Sequence, residues 1–327
     1  MSILKIHSAP SNIALIKYMG KINGQSNLPS NASFSYTLEH LRTFVTIESI
    51  QGVTQDLWEP LQQNQLNVAD VKLCPIELSE KGKNKFLNHF KMIKEFMDVD
   101  PKAYFLIRSA NNFPSDCGIA SSSSSFAALT KAAVFELEKY AKNQKKISLT
   151  ELSALSRKGS GSSCRSFFSP WCQWKKEYGE ELSLPYKKLH HLVLLLDTHK
   201  KEVSSSDAHL RVVTSPIFRR RMELIESRFE ELVSLFENKK WQQAVEIVRL
   251  EFEEMHALFE TSVPAFSYRN KETVDLTKEL ALEKDILVTM DAGSNVHLLF
   301  RDEDFTLAKK MKNKYSSFQS IASWCEL

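Results

Sequence analysis

Residues 111–126, NNFPSDCGIASSSSSF, leave this chain few structural options. Five consecutive serines ordinarily mark a flexible linker. These instead follow a proline and a glycine and run straight into Phe126, Leu129, Ala133, Leu137 and Ala141, an apolar stripe at helical spacing. The spacing predicts a helix with the serines at its start, and residues 103–110, AYFLIRSA, read as a strand leading in. A helix start leaves about four backbone N–H groups unpaired and carries the positive end of the dipole. It is therefore either an anion site or a plain serine-capped terminus after a surface loop. Pro114 and Gly118 let the backbone turn tightly, and the hydroxyls suit phosphate oxygens or a magnesium ion. The spacing departs from G-x-x-x-x-G-K-[ST], which excludes a Walker-type P-loop.

Around this segment the pattern alternates between strand clusters and helix clusters. Residues 12–18, 33–38 and 42–50 are rich in β-branched or aromatic residues and read as strands, and residues 83–97 space Phe86, Phe90, Ile93 and Met97 as a helix does. Residues 148–168 read as a helix interrupted by a glycine-rich turn, with Arg165 just beyond it. LHHLVLLLD, residues 189–197, reads as a buried strand. Residues 217–262 are strongly helical with a break near Asn238, and another helix follows over residues 271–282. Residues 285–300 close the pattern as strand, glycine turn and strand, with Asp291 at the mouth of the turn. The alternation indicates an α+β architecture. At 327 residues and 43% apolar content the chain exceeds one core and can fill two. We expect domains over residues 1–187 and 188–327.

Composition narrows the function classes. The formal net charge is only +3 with 25% charged residues, so nothing calls for nucleic acid or an anionic membrane as partner. Cys74, Cys117, Cys164, Cys172 and Cys325 are scattered without a C-x-x-C pair, which argues against a disulfide framework or a zinc site and fits a reducing cytoplasm. No segment approaches about 18 uninterrupted apolar residues, and no signal peptide is expected at the start.

Several residues stand out chemically. Lys17 and Lys21, four apart in IKYMGK, suit convergence on one anion across an irregular turn, although such pairs are common on solvated faces. In RKGSGSSCR, Gly159 and Gly161 permit close backbone approach, Ser160 and Ser162 bring hydroxyls, and Arg165 can grip a carboxylate or phosphate with both prongs of its fork. The other reading is a flexible helix-to-strand connection. Asp291 sits where a strand stops, placed for catalysis or as an ordinary turn aspartate. No histidine shows ligand spacing; His190, His191 and His297 read as packed and hydrogen-bonded. Trp171 and Trp174 read as core, and the charged faces over residues 219–254 as solvated surface.

Taken in order, APSNIALIKYMGK, LPSNASFSYTL, NNFPSDCGIASSSSS, SRKGSGSSCRSFF, KEVSSSDAHLRVVTSP and VTMDAGSN resemble the motifs of the mevalonate diphosphate decarboxylases, within the GHMP kinase superfamily. The resemblance spans roughly residues 8–300. It implies a two-domain α+β fold, a ribosomal-protein-like N-terminal domain and a ferredoxin-like C-terminal domain, with the active site in the cleft between them and commonly a homodimer. It implies ATP with Mg²⁺ and, as substrate, mevalonate 5-diphosphate, phosphorylated on its tertiary 3-hydroxyl and then decarboxylated to isopentenyl diphosphate. By the same resemblance Asp291, Lys17 and Arg165 are catalytic. Asn12, Tyr18, Lys21, Ser160, Gly161, Ser162 and Ser205 bind substrate. Pro114, Gly118, Ile119, Ala120, Ser121, Ser122 and Ser123 hold the nucleotide, with Ser121 and Ser122 near the metal.

The chain departs from the family pattern at several positions. Met19 replaces the tryptophan of K-Y-W-G-K, Ser123, Ser124 and Ser125 stand where alanine and glycine are usual, and Ala208 and His209 replace glycine and methionine. Ser206 stands where some bacterial members carry an arginine. These changes bear on the 5-diphosphate preference more than on the chemistry. The nearest rival is a decarboxylase of the 5-monophosphate or a 3-kinase without decarboxylation, whereas an idle nucleotide-binding relative would call for disrupted catalytic residues, and Lys17, Arg165 and Asp291 are all retained.

Overall fold

The computed structural model describes residues 5–21, 27–65, 71–74, 76–114, 121–143, 145–197 and 202–325. The first half builds a six-stranded sheet from β1 (His7–Ile16), β2 (Ser33–Ile50), β3 (Leu57–Pro60), β4 (Tyr104–Asn111), β5 (Trp171–Trp174) and β6 (Gly179–Glu181). Its helices are α1 (Glu80–Phe96), α2 (Ser121–Leu137) and α3 (Leu149–Gly159). The second half pairs β7 (Leu189–Leu195) with later strands, after the helices α4 (Ser205–Arg211), α5 (Phe218–Glu237), α6 (Trp241–Thr261) and α7 (Lys271–Leu280). Then come β8 (Leu287–Thr289), β9 (Val296–Arg301), α8 (Phe305–Lys314) and β10 (Gln319–Ala322), completing an antiparallel sheet ordered β10-β7-β9-β8. The α+β expectation holds.

Two differences from the sequence reading have plain causes. The two strands expected over residues 33–50 are one strand of 18 residues: residues 39–41 bulge between Leu38 and Arg42, which pair with the consecutive Ser11 and Pro10 of β1, and pairing with β4 runs from Thr43 onward. Glu39 is exposed in the bulge while Leu38 and Leu41 are buried beside it, so the charge there does not signal a turn. Ala141 falls outside α2, which stops at Leu137; its backbone bridges to Val99 instead.

β1 is an edge strand, which is why Pro10 is tolerated in it. Its pairing with β2 slips at Pro10/Ser11 and again at Ala14/Ile16. Such bulges bend a strand and re-aim the chain beyond it, here the Lys17–Lys21 turn. α2 lies against β1 and β2 and is buried almost all round.

Cores form where these elements meet. Phe86, Phe90, Phe105, Phe126 and Leu129 fill the space between the first sheet and its helices, and Leu192, Leu298, Phe300 and Met311 fill the space under the second. A further cluster crosses between halves: Ile13, Leu15 and Phe34 of the first sheet pack with Ile225, Phe229 and Phe236 of α5 and with Val193 and Leu299 of the second sheet. Phe34 stacks on Trp171 at 5.1 Å. Burying one such ring is worth about 1.5–3 kcal/mol, so the halves are joined by packing as well as by chain.

Candidate active site

A cavity of about 440 Å³ lies between the halves. The turn after β1, the start of α2, the segment Gly161–Phe167, the start of α4 and the β8–β9 turn all reach it. Lys17 Nζ donates to Asp291 Oδ1 at 2.8 Å and to the Ala14 carbonyl at 2.6 Å, so the cation comes from one half and the carboxylate from the other. Lys17 is 1% exposed. Burial pushes its pKa down from the ordinary lysine value, opposed by Asp291 and Glu251. For Asp291, burial pushes upward, but Lys17, His297 and Arg165 together hold the carboxyl below its ordinary range. Each partner thus helps keep the other charged.

Arg165 lies on a 3-10 segment at the end of which the chain re-enters the sheet. Its Nε donates to Asn12 Oδ1 at 3.2 Å, its Nη1 donates to Ser33 Oγ at 3.0 Å, and the guanidinium sits 5.8 Å from the Trp174 ring. Asn12 in turn donates to Ser166 Oγ at 2.8 Å and to the Ser162 carbonyl. Asn12 therefore does not line the cavity; it holds the arginine that does.

Tyr18 is wedged between Trp174 (4.6 Å, edge to face) and His209 (4.3 Å). Its hydroxyl is buried without a hydrogen-bond partner among the described residues. Gly161 is required beside it, since a Cβ there would lie 2.8 Å from the Tyr18 ring and 2.9 Å from Trp174. Gly20 has φ +95 and would place a Cβ 2.7 Å from Ser30 Oγ, so only glycine takes this turn without strain. Lys21 Nζ donates to Asn27 Oδ1 at 2.8 Å, and Asn27 is tied to the Arg157 and Lys158 carbonyls at the end of α3.

The serines divide by helix face. Ser121, Ser122 and Ser125 line the cavity. Ser124 turns inward to Thr43 Oγ1 at 2.7 Å, and Ser123 is fully buried near Ser11. Ser123 accordingly does not present its hydroxyl to the cavity, a correction to the sequence expectation that comes from the 100° step of a helix. Ser160 reaches Ser122 Oγ at 3.4 Å, linking the two serine-bearing segments. Ser160, Gly161, Ser162, Ser205 and Ser206 all line the cavity. Pro114 is described but is not among the lining residues. Gly118, Ile119 and Ala120 lie outside the described residues.

Sequence reasoning missed Lys81 and Lys85, which project from α1 into the same cavity. Burial, with Lys21 and Lys81 nearby, pushes Lys85 down to about 8. Lysines four apart on a helix look in sequence like any solvated face. His209 was noted only as a departure from the family pattern. Its Nδ1 accepts the Gly20 N–H at 3.0 Å, and burial with Lys21 and Lys85 lowers it to about 3, so it is neutral. The charged faces of α5 and α6 are also corrected: Arg221 and Glu251 are fully buried. His191 bonds His40 at 3.1 Å and His297 at 2.9 Å, as packed histidines should.

The donor set fits a polyphosphate carrying a hard cation. Lysines 17, 21, 81 and 85 and the Ser121, Ser122 and Ser125 hydroxyls surround one space, and magnesium is usually held through a few protein oxygens and substrate phosphates. Among the described residues no three His, Cys, Asp or Glu side chains come together to hold a metal. Ser121, Ser122 and Ser125 bring hydroxyls to that space.

Known proteins agree with this arrangement. The family model "Diphosphomevalonate decarboxylase-like N-terminal domain" matches residues 9–184, and "Mevalonate 5-diphosphate decarboxylase C-terminal domain" matches residues 191–326. The diphosphomevalonate decarboxylase of Saccharomyces cerevisiae is 29% identical over 97% of this chain and 82% of its own. The crystal structure of a mevalonate diphosphate decarboxylase from Legionella pneumophila superposes with a TM-score of 0.86 at 40% identity, covering 97% of this chain and 99% of that one. MDDEF in complex with MVAPP, AMPPCP and magnesium superposes at 0.82 with 27% identity, covering 97% and 96%. With the two-domain α+β GHMP kinase architecture on which these proteins are built, the chain belongs to the mevalonate diphosphate decarboxylase family.

Proposed function

We propose that the chain converts mevalonate 5-diphosphate and ATP into isopentenyl diphosphate, ADP, phosphate and CO₂. The observation that carries this reading is the buried Lys17–Asp291 pair facing Arg165 in one cavity between the halves. When bound, ATP with Mg²⁺ supplies the phosphoryl group and part of the charge neutralisation.

The side chains then have separate tasks. Arg165, its fork already fixed by Asn12 and Ser33, holds the substrate carboxylate in the plane from which it must leave. Tyr18, Lys21, Ser160, Gly161, Ser162 and Ser205 hold the 5-diphosphate, with the unpartnered Tyr18 hydroxyl as a donor in waiting. Ser121 and Ser122 face the nucleotide phosphates. Asp291 Oδ orients the tertiary hydroxyl and takes its proton, while the Lys17 ammonium offsets charge on the transferred group. The new phosphate leaves C3 with the C–O bonding pair, the C1–C2 bond breaks to release CO₂, and its electron pair forms the C2=C3 double bond. Fixed charges already in place lower the cost of that developing positive centre.

The division at residues 187/188, a cytoplasmic site of action and a homodimeric state belong to the same proposal; sedimentation at micromolar chain reads the last. The test of the chemistry is ¹⁴CO₂ release from C1-labelled mevalonate 5-diphosphate and, in parallel, the 5-monophosphate, with ADP followed in the same tubes. CO₂ and ADP in equal amounts from the diphosphate alone are expected. ADP without CO₂ would reduce the assignment to a 3-kinase, and turnover of the monophosphate alone would move the substrate.

A further inference from the structure

Glu251 and Arg221 grip a single residue from opposite sides. Glu251 Oε1 accepts the Lys17 backbone N–H at 2.8 Å, and Arg221 Nη2 donates to the Lys17 carbonyl at 3.3 Å. The two side chains pair with each other. Around them Arg221 Nη1 reaches Glu254 at 2.8 Å, and Arg228 Nη1 reaches both Glu251 and Glu254 at 2.6 Å. Both polar groups of the Lys17 backbone thus meet side chains of α5 and α6, from the other half of the chain, and the carbonyl also accepts from Asn31 Nδ2 at 2.9 Å.

Stability alone does not account for this cluster. Ile225, Phe229, Leu232, Ala244, Val245 and Val248 already join the two helices to the shared core, and replacing a buried ion pair by apolar groups is often neutral or stabilising. A costly cluster aimed at the residue whose ammonium faces the cavity is better explained by what it does to that residue. We propose that Glu251 is a positioning residue for Lys17, braced by Arg221: it fixes the backbone from which the ammonium reaches Asp291 and sets a carboxylate against that backbone. This rests on Lys17 acting in the chemistry as proposed above.

The groups facing Lys17 come from every neighbouring element: Asp291 from the β8–β9 turn, Arg165 from Gly161–Phe167, Arg221 from α5, and Glu251 and His256 from α6. Burial pushes the ammonium toward neutrality; Asp291 and Glu251 oppose this, and Arg165 adds to it. Glu251→Gln keeps an acceptor for the Lys17 N–H and removes the charge. The ammonium then loses its proton at lower pH.

Glu251→Gln, Glu254→Gln and Lys17→Met are compared with the wild type for kcat and KM of CO₂ release from pH 6.5 to 9.5, alongside urea unfolding. In Glu251→Gln the basic limb of kcat should move to lower pH by about 0.5–1, with KM within about twofold. Glu254→Gln, in the same cluster but without contact to Lys17, should lose stability and keep the limb. An unshifted limb in folded Glu251→Gln, or an equal shift in Glu254→Gln, would overturn the proposal. If Glu251→Gln does not fold, Glu251→Asp keeps the charge and shortens the arm: kcat should fall several-fold with the limb in place, and wild-type kcat would count against positioning. Full activity in Lys17→Met would overturn the assignment of Lys17 as well. Loss there together with an unshifted limb in Glu251→Gln overturns the positioning role alone.

Discussion

Replacing Asp291 by Asn removes the charge opposite a fully buried ammonium with almost no change of shape. Lys17 keeps its bond to the Ala14 carbonyl, and Glu251 is left to oppose burial and Arg165. The variant can always fold with a neutral Lys17, which caps its loss of stability. At pH 7 the cap is about 4.6 kcal/mol, about 1.36 kcal/mol for each pH step up to the ordinary lysine value near 10.4. Breaking a buried pair usually costs about 3–5 kcal/mol; with Glu251 still present we expect about 2–4 kcal/mol. The pH dependence has a definite sign. The Lys17 pKa, already below its unfolded value in the wild type, falls further in the variant, so the folded variant binds fewer protons over the window beneath the wild-type Lys17 pKa. The deficit is full below that window and shrinks as pH rises through it. Asp291, held below its ordinary range, contributes stability that is fully present above about pH 3.9 and lost only as pH falls through its folded pKa, so it adds no slope above neutrality. Urea titrations of both proteins at half-unit steps from pH 6.5 to 9.5 measure the difference. A deficit that stays constant across that range would refute the reasoning, and so would undiminished CO₂ release.

Three further outcomes rest on the same geometry. Arg165→Lys leaves Asn12 Oδ1 and Ser33 without their fork and should lower kcat/KM for the carboxylate substrate about 10²–10³-fold, with the KM for ATP unchanged; equal loss in both would indicate a collapsed site. Tyr18→Phe removes a buried hydroxyl that has no protein partner among the described residues, so urea stability should hold or rise by about 1 kcal/mol while KM for the diphosphate rises several-fold; an unchanged KM would mean the hydroxyl does not meet substrate. Lys85 lines the cavity near Lys21 and is held down to about 8, so kcat/KM for the polyphosphate ligand it meets should fall as pH rises through about 8 and the charged form is lost. Lys85→Met should show a low value without that limb.

The parts of the fold carried by local pattern were legible: the helix pair broken at Asn238, the strands around Asp291, and the serines opening a helix. Each rests on periodicity within one segment. What was not legible depends on which side of an element meets which partner. Ser121 and Ser123 are identical in sequence, yet one lines the cavity and the other is sealed under β1. Arg221 and Glu251 stand in helices rich in Arg and Glu, and only their depth separates them from Arg219 or Glu223, which pair on the surface. Lys85 likewise carries no mark in its neighbours of its place at the cavity. Asn12 is the mixed case, since its motif pointed to the site while its hydrogen bonds assign it to Arg165.

The depressed pKa of Asp291 bears on how the proposed reaction proceeds. A carboxylate held below its ordinary range by Lys17 and Arg165 is a weak proton acceptor in the ground state, which would be a poor design if attack required an alkoxide. Phosphoryl transfer with a loose transition state requires little of the nucleophile beyond position, and charge accumulates on the transferred group and the leaving oxygen instead. A fixed carboxylate that orients the hydroxyl, beside an ammonium that remains charged, suits that demand. Asp291 and Lys17 come from different halves, joined by a continuous apolar core running from Ile13 and Phe34 to Phe229 and Val193. Their geometry is therefore set by folding, before substrate arrives, and the hydroxyl proton can move late, once bonding to the phosphoryl group has drawn electron density from the carbinol oxygen and the acidity of the hydroxyl has risen to meet a weak base.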